Sequence, residues 1–183
     1  MKNYKKNFEI LKKNNIYSEE MEHDACGVGL IASTEGKKSR KIVEYGIEAL
    51  KAVWHRGAVD ADGKTGDGAG IHVEIPKDFF IEKVEVTGHT YDNSEICVGM
   101  IFLPRNDYAA QESCKTIVES ELTKNDFSIY GWRQVPVNPK VLGEKAFQTM
   151  PEIIQVLFKS NNPELLNKDL ERKIYETRRI IEN

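Results

Sequence analysis

Glu22-His23-Asp24-Ala25-Cys26-Gly27-Val28-Gly29-Leu30-Ile31-Ala32 sets one cysteine between a short polar segment and a glycine-rich apolar run. Cutting the peptide bond after Ala25 would make Cys26 a new N-terminus. That residue would then carry a nucleophilic thiol and, on the same Cα, a free amine able to act as its base. Read blandly, Cys26 is a small buried hydrophobe at the start of a strand. The apolar run itself, Gly27 to Thr34, predicts a buried strand. Upstream, residues 1–25 are rich in Lys, Asn and Glu and carry only a weak Phe8-Ile10-Leu11 cluster, so they read as a propeptide-like arm outside the core.

The whole chain bounds the chemistry. Its 183 residues suffice for one domain with a real core. A net charge of −3 gives no general attraction to nucleic acid or anionic lipid. No apolar run approaches the roughly 20 residues of a membrane span. Between Met1 and Ile16 five lysines oppose one glutamate, with no arginine and no apolar signal-peptide stretch, which predicts a cytoplasmic protein. Cys26, Cys97 and Cys114 form no Cys-x-x-Cys pair, and their odd number argues against a disulfide framework. The four histidines are scattered, so no metal site is expected.

Downstream of a turn at Glu35–Lys38, Ser39 is a candidate N-cap for a helix reaching about Trp54. Ile71 to Ile75 alternates as a half-buried strand does. A short helix is expected around Asp78 to Lys83, then a polar loop from Thr87 to Ser94 and a strand from Ile96 to Leu103. Tyr108 to Lys124 has helical period, with Ala109, Cys114, Ile117, Val118 and Leu122 on the expected buried side. Further strands are expected at Phe127 to Val135 and Pro151 to Lys159, then a charged amphipathic helix between Pro163 and Asn183. Strands and helices alternate irregularly, which predicts a layered α+β domain over a regular βαβ array.

Two segments between these elements carry further information. Trp54-His55-Arg56-Gly57-Ala58 follows the first helix, and an arginine there is by default a surface cation. Asp60-Ala61-Asp62-Gly63-Lys64-Thr65-Gly66-Asp67-Gly68-Ala69-Gly70 follows in turn. Its Gly63-Lys64-Thr65 looks like the end of a phosphate-binding loop, but five residues separate Gly57 from Gly63 where four are needed. The loop also sits between a helix and a strand in the wrong order, and its aspartates would repel phosphate. Five glycines between Gly57 and Gly70 instead imply tight turns or close approach to another group.

Taken together, the Cys26 stretch, the His-Arg-Gly segment and the Thr65-Gly66-Asp67-Gly68-Ala69-Gly70 loop resemble the class II, N-terminal-nucleophile glutamine amidotransferase domain that opens glutamate synthase large subunits. The likeness runs on through Val98-Gly99-Met100-Ile101-Phe102-Leu103-Pro104, Tyr130-Gly131-Trp132-Arg133-Gln134-Val135-Pro136 and Val141-Leu142-Gly143-Glu144. It covers nearly everything from Glu22 to Asn183. It implies a four-layer αββα sandwich, with residues 26–183 as the N-terminal portion of the amidotransferase domain. It implies Cys26 as the nucleophile, exposed by removal of residues 1–25, and Arg56 as substrate-binding or thiolate support.

The substrate so implied is glutamine. In a full enzyme of this type 2-oxoglutarate and a reductase subunit or ferredoxin are further partners, while FMN and an iron–sulfur cluster sit outside the amidotransferase domain. This chain itself is expected to hold no cofactor. The family's oxyanion-hole Asn-Gly pair has no match here, so the chain reads as a front portion whose own glutaminase activity is expected to be feeble. The competing reading is a catalytically incomplete fragment acting as a binding or regulatory module. An amidotransferase making amino sugars or purines is disfavoured by the Lys64-Thr65-Gly66-Asp67-Gly68 loop.

Overall fold

Glu152-Ile153-Ile154-Gln155-Val156-Leu157-Phe158-Lys159-Ser160 is the strand on which the sheet is built, and it is buried on both faces. The computed structural model describes residues 6, 9–10, 13–14, 27–53, 57–66 and 68–183. They fall into two units, Met1–Ala58 with Gly68–Ile71, and Val59–Asp67 with His72–Asn183.

In the first unit, helix α1 spans Arg40–Ala52. Ser39 caps it as its position predicts, its Oγ accepting from the Lys41 N–H at 3.2 Å. The apolar stripe Ile42, Val43, Ile47 and Leu50 is half-buried. Ile71 closes over Gly46, where a Cβ would stand 3.1 Å from its Cδ1.

The second unit contains helix α2 (Lys77–Val86), strand β1 (Cys97–Leu103), helix α3 (Tyr108–Lys124) and strand β2 (Phe127–Gln134). After a 3-10 turn at Pro139–Val141 come helix α4 (Glu144–Thr149), strand β3 (Glu152–Ser160) and helix α5 (Asn167–Ile181). The strand order is β1-β3-β2, antiparallel throughout, so the last strand in sequence lies between the first two. Successive side chains on β3 alternate between faces. Val156 and Phe158 join Cys97, Val118, Leu122, Phe127 and Leu170 under α3 and α5. Leu157 points the other way and clusters with Ile96, Tyr130 and the Phe80 and Val84 of α2. The mixed α and β content with an antiparallel sheet agrees with the α+β expectation.

On the α2 side the cover is partial. Met100 and Phe102 share the face of Leu157 through the register Val98↔Leu157, Met100↔Gln155 and Phe102↔Ile153, yet they are 48% and 63% exposed. A bulge in β2 sets both Tyr130 and Gly131 against Leu157. Gly131 takes φ 147°, and a Cβ there would lie 2.9 Å from Thr87 Cγ2, so glycine is required on both counts.

Three expectations need correction. Residues 27–34 form no strand: the segment has no ladder partner among the described residues, and Val28 and Leu30 are 95% and 89% exposed. Ile71 to Ile75 likewise joins no ladder among the described residues, with Ile71, Val73 and Ile75 exposed. Apolar alternation assigns faces, whereas a strand exists only where a neighbour takes its N–H and C=O groups. On α3 the buried positions are Gln111, Val118 and Leu122, while Ala109 and Ile117 are exposed. Gln111 is held inside because its Nε2 donates to the carbonyls of Pro104 at 2.7 Å and Arg105 at 3.2 Å.

Candidate active site

Cys26 and Arg56 lie outside the described residues, as do Trp54, His55 and Asp67. Their described neighbours are informative. A Cβ built on Gly27, the residue after Cys26, would lie 4.0 Å from Cγ2 of Val53, three residues before Arg56. The apolar run and the C-terminal end of α1 therefore meet at the points from which the two motifs depart.

The glycine- and aspartate-rich loop is a closed hairpin. Val59 and Gly66 form an antiparallel bridge. Inside it the Asp60 N–H donates to Thr65 O at 2.7 Å and the Gly63 N–H to Asp60 O at 2.9 Å. The Asp62 carboxylate fills the turn. Oδ1 accepts from the Lys64 N–H at 2.9 Å and the Thr65 N–H at 2.7 Å, and Oδ2 from Thr65 Oγ1 at 2.5 Å. The Thr65 hydroxyl first, then the Lys64 and Thr65 amides, hold the Asp62 carboxyl well below the usual carboxylate range. The amides that a phosphate-binding loop would offer to its ligand are thus taken by the loop's own carboxylate, which disposes of that reading.

The same hairpin is fastened to α4. Lys145 Nζ pairs with Asp60 Oδ2 at 2.6 Å. Gly143 admits no side chain: a Cβ would fall 2.2 Å from Thr65 Oγ1, 2.3 Å from Asp62 Oδ2 and 2.5 Å from Thr65 N. At its other end α4 is tied to the chain leaving β1, where Arg105 donates to Phe147 O at 3.4 Å and stacks on the Phe147 ring at 4.5 Å. Gly143 and Lys145 escaped the sequence reading as partners of the loop. Their signal was the Val141-Leu142-Gly143-Glu144 motif, whose glycine marks the close approach.

The other cysteines fit the core reading given to them. Cys97 is buried in β1, and burial pushes its thiol up to about 12, while Cys114 is half-buried on α3. A cavity of about 490 Å³ at the β2–β3 end is lined by His89, Ser128, Tyr130, Lys159 and Asn161 among others, none of them in the Cys26, His-Arg-Gly or glycine-loop segments. Its lysine is already engaged by the Asp92 carboxylate and by the Tyr130 ring. No described helix is long and apolar enough to cross a membrane.

Comparison with known proteins gives the family. The family model for class-II glutamine amidotransferases matches residues 26–183, its first matched residue being Cys26. The glutamate synthase [NADPH] large chain of Azospirillum brasilense is 53% identical over 179 residues, which are 98% of this chain and 12% of that protein. Ferredoxin-dependent glutamate synthase 2, chloroplastic, of Arabidopsis thaliana is 39% identical over 178 residues, 96% of this chain and 11% of the relative. Ferredoxin-dependent glutamate synthase 2 of Synechocystis is 38% identical over 162 residues, 87% of this chain and 10% of the relative. The chain thus spans about a tenth of the length of the curated relatives it matches. With a family match that runs from the nucleophile candidate to the last residue, the chain belongs to the class-II glutamine amidotransferases.

Proposed function

We propose that this chain is the glutamine-hydrolysing part of a glutamate synthase large subunit, with Cys26 as its nucleophile once residues 1–25 are removed. The observation that carries the reading is the family match beginning at Cys26, within a chain 53% identical over 98% of its length to a glutamate synthase large chain. In this reading the α-amine of Cys26, with an ordinary pKa of about 7.7–8.0, accepts the thiol proton near neutrality. The thiolate attacks the side-chain amide carbon of glutamine and ammonia leaves. Water then hydrolyses the γ-glutamyl thioester to glutamate. Arg56 favours the thiolate electrostatically.

The finer parts of the reading stand on the same footing. Residues 26–183 form the N-terminal portion of the amidotransferase domain and residues 1–25 its propeptide. A four-layer αββα arrangement is supported by the helical layer of α3 and α5 on one sheet face and by the exposed Met100 and Phe102 on the other. The ammonia acceptor is 2-oxoglutarate, the electron donor a reductase subunit or ferredoxin, and the compartment the cytoplasm. FMN and an iron–sulfur cluster belong to other parts of such an enzyme.

The test is Cys26→Ala in the full-length protein. Glutamine-dependent glutamate formation should vanish, while formation from added ammonia persists. Intact-mass analysis of the active protein should place its N-terminus at Cys26. Steady glutamine turnover by the variant, or retention of residues 1–25 in active enzyme, would sink the mechanism.

A further inference from the structure

We propose that the sheet face around Arg133 is a docking surface for an acidic segment of the same large subunit, whose Asp or Glu side chain pairs with the Arg133 guanidinium. This inference rests on the function proposed above only in taking the chain as part of a longer large subunit.

Met100, Gln155 and Arg133 stand in one row across β1, β3 and β2. They share the face of Leu157 and form the next row beyond it, where the cover of α2 gives out. Gln155 is buried, and its Oε1 accepts from Arg133 Nη1 at 2.7 Å. The guanidinium also lies over the Phe79 ring, 5.2 Å from its centre. Two contacts thus hold a half-buried arginine in place, while Phe79 and Met100 beside it are exposed.

Those contacts use little of what the side chain offers. A guanidinium carries five N–H donors, and here one goes to a neutral amide oxygen. No carboxylate stands within ion-pair distance of it among the described residues. The remaining donors match the two oxygens of a carboxylate, and the stacking and the buried amide have already restricted the side chain that would bind it.

The charge decides what can dock. Covering Phe79 and Met100 takes water from Arg133 as well, which is costly unless an anion replaces it. A wholly apolar segment is therefore a poor occupant. A second copy laid face to face about a two-fold axis is no better, since it brings a second guanidinium against the first. One Asp or Glu between apolar side chains meets both demands. The matched part is about a tenth of the relatives' length, so the same polypeptide has ample chain to supply it.

The experiment uses the full-length large subunit with photoreactive p-benzoylphenylalanine in place of Met100, and maps the cross-links by mass spectrometry. They should fall within one polypeptide, on a segment that carries an Asp or Glu. Arg133→Met, which keeps the bulk and removes the charge, should lower their yield about tenfold or more, as expected for loss of a hydrogen bond between charged groups. Arg133→Asp should abolish them, and exchanging the cross-linked acid for Arg in that same protein should bring them back, which a merely structural role for Arg133 would not give. Cross-links to a second copy or to a segment without an acid, an absence of cross-links, an unchanged yield in Arg133→Met or a failed charge exchange would each overturn the inference. None of these readouts depends on glutamine turnover, so their failure strikes this surface alone, whereas turnover by Cys26→Ala strikes the function proposed above.

Discussion

Truncating Leu157 to alanine tests the packing of the central strand most directly. The side chain is 0% exposed and lies at the centre of β3, clustered with Phe80, Val84, Ile96 and Tyr130. Three carbons are lost, each worth about 0.8 kcal/mol of transfer free energy, or about 2.4 kcal/mol together. Its register partners are Val98 on one side and Gly131 on the other, and Gly131 has no side chain to fall into the space. Collapse around the gap is therefore limited, and the cavity brings the expected loss to about 3–4 kcal/mol. Hydrogen exchange of the β3 amides, followed by mass spectrometry, reads this as a fall in protection of roughly 10²–10³-fold. Phe102→Ala is the control, since that larger side chain sits on the same sheet face but beyond the cover of α2, and it should cost less than about 1 kcal/mol. A loss at Leu157 below about 1 kcal/mol, or equal losses at both positions, would refute the assignment of the buried and open parts of that face.

Gly131→Ala should destabilise by about 1–3 kcal/mol, because a Cβ at positive φ also strikes the Thr87 methyl; adding Thr87→Ser should recover part of the loss in the same denaturation experiment, and no recovery would disprove the contact. Native protein treated with iodoacetamide at pH 8 should leave Cys97 unmodified, its thiol being pushed up to about 12 by burial, and peptide mapping that finds Cys97 alkylated before unfolding would contradict its place in the core. The Lys159 ammonium, then Ser94 and, more weakly, the Tyr130 hydroxyl, hold the Asp92 carboxyl below the usual range. The folded state therefore binds fewer protons there than the unfolded chain. The resulting stabilisation is fully present above about pH 4 and is lost as pH falls through the lowered native value. Melting temperatures between pH 5 and pH 2 should fall less steeply in Asp92→Asn, and identical slopes would remove Asp92 from the account.

The second unit was largely readable from the chain because its elements pack on one another. The period of Tyr108 to Lys124, the apolar runs at Ile96, Phe127 and Pro151, and the turns between them all correspond to observed elements. Errors arose where the partner decides. Val28 to Ala32 and Ile71 to Ile75 carry the pattern of strands, but a ladder needs a neighbour that spacing does not reveal. Gln111 was passed over because hydropathy does not register a side-chain amide satisfied by two carbonyls. At the site, Cys26 and Arg56 were legible only as motif residues. The ion pair between Asp60 and Lys145 of α4 joins positions 85 residues apart and is visible only after folding.

The insertion of β3 between β1 and β2 imposes an order of events on synthesis. β1 and β2 are nearest neighbours in sequence, yet among the described residues neither has a hydrogen-bonding partner in the sheet until Glu152–Ser160 has been made. For the time taken to translate from Cys97 to Ser160, a few seconds to about ten at ordinary elongation rates, the growing chain carries one unpaired apolar strand, and two once Gln134 has been added. Closing such long loops before any ladder forms also makes the sheet slow to assemble. Translational pausing before Glu152 should accordingly harm the yield of soluble protein more than the same pause placed after Ser160.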